Sequence, residues 1–207
     1  MTSETRKLYK VHPEFRYITE MVDMRSRVLD LGCGRGRLME ALRSEREALV
    51  QGIELDHNAV SQCVAKGLFV YQGDLNEGLA DYADSSMDYV ILTSTIQVLE
   101  RPDRTIKEAA RVGKKCIIAL PNFGYYGVRF DLMFGGKMPK TRSLPYEWYD
   151  SPNIHLTTIK DFREFCDKNN LKILKEQGLV IGKGKCREVK ILPNFFADYG
   201  IFLVEQA

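Results

Sequence analysis

Three carboxylates and three glycines carry the first chemical signal in the chain. The stretch "VLDLGCGRG", residues 28–36, sets Asp30 two positions before Gly32, with Gly34 and Gly36 following at alternate positions. Glycines after a strand let the backbone turn sharply and approach a ligand closely, and the helix that follows offers unpaired N–H groups. A dinucleotide pyrophosphate exploits both features. Two details argue against one here. The spacing is GxGxG rather than GxGxxG, and a carboxylate at Asp30 opposes a pyrophosphate. The acid suits a ligand with a positive end. S-adenosylmethionine has an α-ammonium group and a sulfonium, and no phosphate. Asp30 is therefore expected to receive its methionine end, directly or through water. S-adenosylmethionine or S-adenosylhomocysteine is the expected ligand, and NAD is not.

Glu54 lies 22 positions beyond Gly32, at the end of a second apolar run, "ALVQGIEL". An acid at about 20 residues from the glycines can take both ribose hydroxyls of an adenosine. Asp74, in "QGDL", follows a third run and can accept from an adenine amino group, with Leu55 and Leu75 packing on the ring. Each acid alone has a plainer reading: Asp30 as a helix-capping acid, Glu54 as a solvated strand end, Asp74 as a turn residue. Three acids at the carboxyl ends of three successive strands point to a ligand, because that edge is where open α/β sheets bind.

The elements that must position these residues alternate along the chain. "RVLDL", "ALVQGIEL", "LFVYQG", "MDYVILT" and "KCIIAL" read as strands. "RGRLMEALRSE", "NAVSQCVAKG" and "PDRTIKEAARVG" read as helices between them, with Gly67, Pro102 and Gly113 as start and stop signals. A short amphipathic helix is expected over 13–24. Another is expected in "TIKDFREFCDKN", where Thr158 and Asp161 have capping-box spacing. "LKILKEQGL" and "GIFLVEQ" read as closing strands joined by a long irregular connection. This alternation implies βαβ units and a parallel sheet covered by helices on both faces. The 207 residues suffice for a single domain spanning 1–207.

Composition excludes several classes. The net charge of +2 comes without a long basic or acidic block, so neither nucleic acid nor an anionic membrane is an expected partner. No stretch reaches the ~18 apolar residues needed to span a bilayer, and the N-terminus lacks a signal-peptide core. The five cysteines are scattered and form no CxxC, which disfavours a disulfide framework or a zinc site and fits a reducing cytoplasm.

Residues 123–153 stand apart as an aromatic-rich insertion. They hold eight aromatics, the chain's only tryptophan among them, with several prolines and glycines. Long connections of this kind are uncommon in compact domains and often functional. Two readings stand open: a short helix around 125–134 with an aromatic flap over the sheet, or a substrate or partner surface.

Taken together, "VLDLGCGRG", "GIELD" and "QGDL" resemble the motifs of class I S-adenosylmethionine-dependent methyltransferases. "YVILTSTIQVLERPD", "ALPNFGYYGVR" and "GKMPKTRSLPYEWYDSPNIHLTTIKDF" closely resemble the methionine-biosynthesis protein MetW family. The resemblance runs from about residue 20 to the end. It implies a Rossmann-like, seven-stranded, mostly parallel sheet with one reversed strand. It further implies a cytoplasmic role in methionine biosynthesis, with a MetX-type homoserine O-acyltransferase as partner.

The catalytic residues are not legible. Many relatives carry a glutamate–histidine pair just after the fourth strand, where this chain has Gln97 and Val98. Gln97 can hydrogen-bond but is no base, which puts O-methylation in doubt. His155, in "NIHLTT", is either a structural histidine or a catalyst, while His12 and His57 lie in less suggestive places. Cys33 is near a helix N-terminus, where its pKa can fall, but it equally suits packing. Arg129, Arg142, Tyr146, Trp148 and Tyr149 suit an acidic substrate, a lid or a docking face. The readings left standing are an S-adenosylmethionine-binding protein that supports the acyltransferase, and an active small-molecule methyltransferase.

Overall fold

The computed structural model describes residues 3–182 and 185–207. Two helices, α1 (Ser3–Val11) and α2 (Glu14–Met21), precede β1 (Arg27–Leu31). Strand and helix then alternate through α3 (Arg37–Arg46), β2 (Leu49–Glu54), α4 (His57–Ala65) and β3 (Phe69–Gln72). Next come β4 (Met87–Thr93), α5 (Pro102–Val112), β5 (Gly113–Pro121), α6 (Tyr126–Gly135) and α7 (Ile159–Lys168). The chain closes with β6 (Leu171–Gly182), β7 (Lys185–Val189), the single turn α8 (Pro193–Phe196) and β8 (Tyr199–Gln206).

The strands form one sheet in the order β3-β2-β1-β4-β5-β8-β6-β7. Strands β1 to β5 pair in parallel; β8 runs antiparallel between β5 and β6, and β7 pairs antiparallel with β6. Strand β4 shows why the fold is two-sided. Successive side chains of a strand point to opposite faces. Tyr89 and Ile91 pack with Ile18 of α2 and Leu38 and Leu42 of α3, whereas Val90 and Leu92 pack with Ile106 of α5 and Phe162 of α7. A strand buried on both faces must be apolar throughout, as "YVIL" is.

Helix α7 starts at the expected capping box. Thr158 Oγ1 accepts from the Asp161 N–H at 3.1 Å, and the Asp161 carboxylate accepts from the Thr158 N–H at 3.0 Å. Asn122, buried after β5, ties this helix to the reversed edge. Its amide donates to the carbonyls of Asn194 (3.1 Å) and Ala197 (2.7 Å) and accepts from the N–H groups of Gly124 and Ile159. Asn122→Ala is expected to destabilise the fold by about 3 kcal/mol, since it leaves buried donors and acceptors unpaired. A urea titration of both proteins measures the difference, and a loss below about 1 kcal/mol would show that water replaces the amide.

The sheet differs from the expectation of seven strands with one reversed. It has eight, and both β7 and β8 run against β1 to β5. The connection expected to be irregular contains β7 and α8. Strand β7, "KCREV", lies at the edge, where charged side chains block further pairing and erase the apolar alternation that marks a strand in sequence. Helix α1 was not expected either. Its apolar residues, Leu8, Tyr9 and Val11, are few and lie in a predominantly polar segment. The helix expected over 13–24 is confined to α2, Glu14–Met21.

Candidate cofactor-binding site

The strand order reverses at β1, which lies between β2 and β4. Connections leaving the carboxyl ends on either side diverge and open a crevice. The glycine loop occupies that point. Gly32 has φ +74°, and a Cβ there would stand 2.9 Å from Thr95 Cγ2 and Oγ1. Thr95 donates to the Leu31 carbonyl at 2.9 Å, which fixes the loop against the turn after β4. Gly36, with φ +71°, caps α3 where a Cβ would collide with Leu68.

Asp30 is 2% exposed. It forms part of the wall of a cavity of about 310 Å³ together with Gly32, Gly34, Thr93, Arg37 and His12. None of the hydrogen bonds among the described residues reaches its carboxylate. Burial, and then the negative charge of Glu54, push its pKa from 3.8 to about 7. A buried carboxylate without a donor is costly, and a cation in the cavity would relieve that cost.

Glu54, the last residue of β2, holds the loop. Its Oε2 accepts from the Gly34 N–H at 2.7 Å, and its Oε1 accepts from the N–H groups of Leu55 and Asp56 at 2.9 Å each. A carboxylate has about four acceptor positions, so one on Oε2 remains for a ligand. Asp74 caps the short 3-10 turn Leu75–Glu77, accepting from the Asn76 N–H at 2.9 Å and the Asn76 side chain at 3.0 Å. Leu75 is turned into the core, whereas Leu55 is exposed beside Glu54. All three acids therefore stand at the carboxyl ends of adjacent parallel strands, as expected.

A second cavity, of about 470 Å³, shares His12, Phe15 and Thr93 with the first. Ser94, Gln97, Tyr199, Arg142 and Tyr146 also line it. The Gln97 amide donates to the Ser94 carbonyl at 2.7 Å, while its Oε1 is buried with no partner. The Gln97 carbonyl accepts from the N–H groups of Ile154 (2.7 Å) and His155 (3.1 Å), so the backbone brings Gln97 and His155 together. His155 Nε2 is buried and unpartnered, in a small recess with Phe123 and Leu144. Arg142 donates to the carbonyls of Gly182 and Val11, closing the 123–153 segment down over the end of α1.

That segment holds the expected short helix, α6, followed by irregular chain. Arg142 and Tyr146 line the larger cavity. Trp148 and Tyr149 pack edge to face yet are 75% and 70% exposed, so they are no buried flap. Arg129 is committed to the fold, donating to the Gly124 carbonyl at 2.6 Å and lying over Phe195. Cys33 is a packing residue: it is buried beside Met39 and Cys63, and burial raises its thiol pKa rather than lowering it. Among the described residues, no group of three His, Cys, Asp or Glu could hold a metal ion, and no helix is long and apolar enough to cross a membrane.

The family model for methionine biosynthesis protein MetW matches residues 12–204. The chain belongs to the MetW family. A relative from Rhodopirellula baltica, the bifunctional methionine biosynthesis protein MetXA/MetW, is 33% identical over 193 residues. The match covers 89% of this MetW-family chain and 31% of the relative, so the chain spans about a third of that protein. Among solved structures, a SAM-dependent methyltransferase from Archaeoglobus fulgidus superposes with a TM-score of 0.69 at 18% identity, covering 96% of this chain and 93% of that one. Magnesium protoporphyrin IX methyltransferase from Synechocystis, solved with bound SAH, superposes with a TM-score of 0.66 at 17% identity, covering 98% and 84%. At these identities the likeness shows the fold: a class I methyltransferase architecture, here carried by a MetW-family protein of methionine biosynthesis.

Several cavity residues are not singled out by the sequence, Arg37, Thr93, Ser94 and Tyr199 among them, and His12 is set aside there. His12 joins both cavities, and Arg37, the first residue of α3, donates to His12 Nε2 at 2.8 Å. Arg37 directly follows the third glycine, which is a usable signal. His12 lies 20 residues before the loop and is brought there only by the packing of α2 on α3.

Proposed function

We propose that this protein binds S-adenosylmethionine or S-adenosylhomocysteine and supports or regulates a MetX-type homoserine O-acyltransferase in the cytoplasm. The observation that carries the cofactor is the Asp30 carboxylate, buried without a donor at the wall of a cavity in the sheet crevice. In this reading Asp30 takes the ligand's ammonium, the loop of Gly32, Gly34 and Gly36 lies against its methionine end, and Glu54 takes the ribose. Asp74 accepts from the adenine amino group, with Leu55 beside the ring and Leu75 backing it from the core. The partner is supported by the Rhodopirellula baltica relative, whose name joins MetXA and MetW in one bifunctional protein.

The docking face we propose is the exposed part of the insertion. Trp148 and Tyr149 are of the residue types enriched at interface hot spots, and they project freely. The test is co-purification of the acyltransferase from the same cell with wild type and with a Trp148→Ala, Tyr149→Ala variant. Both side chains are exposed, so the variant should melt like wild type. Retention by wild type and at least a tenfold loss in the variant are expected. No retention by wild type at micromolar concentration would remove the partner reading.

A second reading, an active methyltransferase on a small molecule, is favoured by the 470 Å³ cavity that adjoins the first. Bound S-adenosylmethionine supplies an activated methyl group, so alignment of an acceptor does much of the work. Ser94, Gln97, Tyr199 and Tyr146 would orient that acceptor, and His155 in its recess behind Gln97 would support them.

A further inference from the structure

The smaller cavity has charges of both signs. Asp30 is buried at its wall, and Arg37 and Arg35 stand at its exposed side. The methionine end of the proposed ligand is a zwitterion, an ammonium beside a carboxylate. Asp30 accounts for the ammonium and leaves the carboxylate without a receptor. Arg35 and Arg37 are the cations lining this cavity, and no carboxylate among the described residues pairs with Arg37. Its guanidinium instead donates to an imidazole, His12 Nε2, at 2.8 Å.

That bond fixes the state of His12. Arginine has no acceptor and stays charged, so Nε2 must be the unprotonated nitrogen. The proton then sits on Nδ1, which faces Glu14 Oε1 at 3.2 Å. The ring stacks on Phe15, with centroids 4.8 Å apart. Glu14 and Phe15 thus orient an imidazole whose one acceptor nitrogen is occupied by Arg37. The same ring lines the larger cavity, where the buried Gln97 Oε1 also lacks a donor.

We propose that Arg37 receives the α-carboxylate of the methionine end and in doing so releases His12 Nε2 as an acceptor for whatever fills the larger cavity. The exchange is favourable for Arg37, because a guanidinium binds a carboxylate in two parallel hydrogen bonds and an imidazole in one. Filling the first cavity thereby prepares the second. Its occupant is a small molecule with O–H or N–H donors, one for Gln97 Oε1 and one for His12 Nε2. The inference rests on the cofactor reading above and adds to it an order of binding.

The test uses two ligands. S-adenosylhomocysteine has the amino-acid end, and 5′-methylthioadenosine has the adenine, ribose and thioether without it. Calorimetry should show that Arg37→Ala weakens S-adenosylhomocysteine by roughly tenfold or more and leaves 5′-methylthioadenosine unchanged. The ¹⁵N resonance of His12 Nε2, assigned by its loss in His12→Asn among only three histidines, gives the second readout. It should move when wild type is saturated with S-adenosylhomocysteine and stay with 5′-methylthioadenosine. In ligand-free Arg37→Ala it should already be displaced. Arg37 is exposed at the start of α3, so its loss leaves the fold intact. Equal affinity of wild type and Arg37→Ala for S-adenosylhomocysteine, or an unmoved His12 resonance, overturns the inference while leaving the cofactor reading standing. Failure of both ligands to bind wild type overturns the cofactor reading itself, and the inference with it.

Discussion

Asp30→Asn is expected to melt higher than wild type at pH 8 and to lose affinity for S-adenosylmethionine. Both effects come from one buried carboxylate. In the ligand-free protein Asp30 is buried without a donor and faces Glu54; burial first, and that negative charge second, raise its pKa from 3.8 to about 7. Between those values the native state holds a proton that the unfolded chain has released. Stability therefore falls as pH rises from about 4 to about 7 and levels off above that. Asparagine has the same shape and no charge, so the variant escapes this loss. The gain should be full at pH 8 and close toward zero below about pH 4. Thermal melts of both proteins at the two pH values measure it.

Binding runs the other way. The ammonium of the ligand needs the carboxylate ionised, so wild-type affinity should increase as pH passes through about 7 and then reach a plateau. Asparagine removes a charge-assisted hydrogen bond of ~1.5–3 kcal/mol, which is roughly tenfold to more than a hundredfold in dissociation constant. A variant that melts below wild type at pH 8 would show that Asp30 has structural donors after all. A variant that binds as wild type does would take the ammonium away from Asp30. Residues that destabilise the empty protein and bind the ligand are expected at functional sites, where local stability and function conflict.

How much of this was legible in the sequence follows from which interactions are local. Strands β1 to β5 and helices α3 to α5 repeat a local pattern, an apolar run and then an amphipathic stripe, so each could be read without its neighbours. The capping box of α7 lies within four residues and was equally readable. The acids were legible because their positions follow from where the strands end. Strand β7 was not, since an edge strand pairs on one side and tolerates charge on both faces. The roles of His12 and Glu14 depend on α2 packing against α3, a contact between helices separated by the whole of β1. The three glycines announced a close approach, but the partners of that approach, Thr95 and Leu68, lie 63 and 32 residues away from Gly32 and Gly36. The sequence offers Glu54 as a ribose ligand or a solvated strand end, and not as a brace for the loop. Its three bonds to backbone N–H groups arise from the loop's own curvature and left no mark in the residue pattern.

Those three bonds change what is expected of Glu54→Ala. The side chain joins the glycine loop, through Gly34, to the turn of Leu55 and Asp56. Alanine releases three N–H groups to water and removes the remaining acceptor position from the ribose. The affinity for S-adenosylhomocysteine should fall by roughly tenfold to more than a hundredfold, the range for a charged hydrogen bond. The loss alone does not separate a ribose contact from a loosened loop. A double-mutant cycle does. Wild type should bind S-adenosylhomocysteine more tightly than its 2′-deoxyribose analogue, because the missing hydroxyl leaves the Glu54 oxygen unpaired. Glu54→Ala should bind the two alike. If the variant instead keeps the full preference for the hydroxyl, Glu54 acts only by holding the loop, and the ribose is read by another group. The proposed contact therefore depends on the one acceptor position that the backbone leaves free on Oε2.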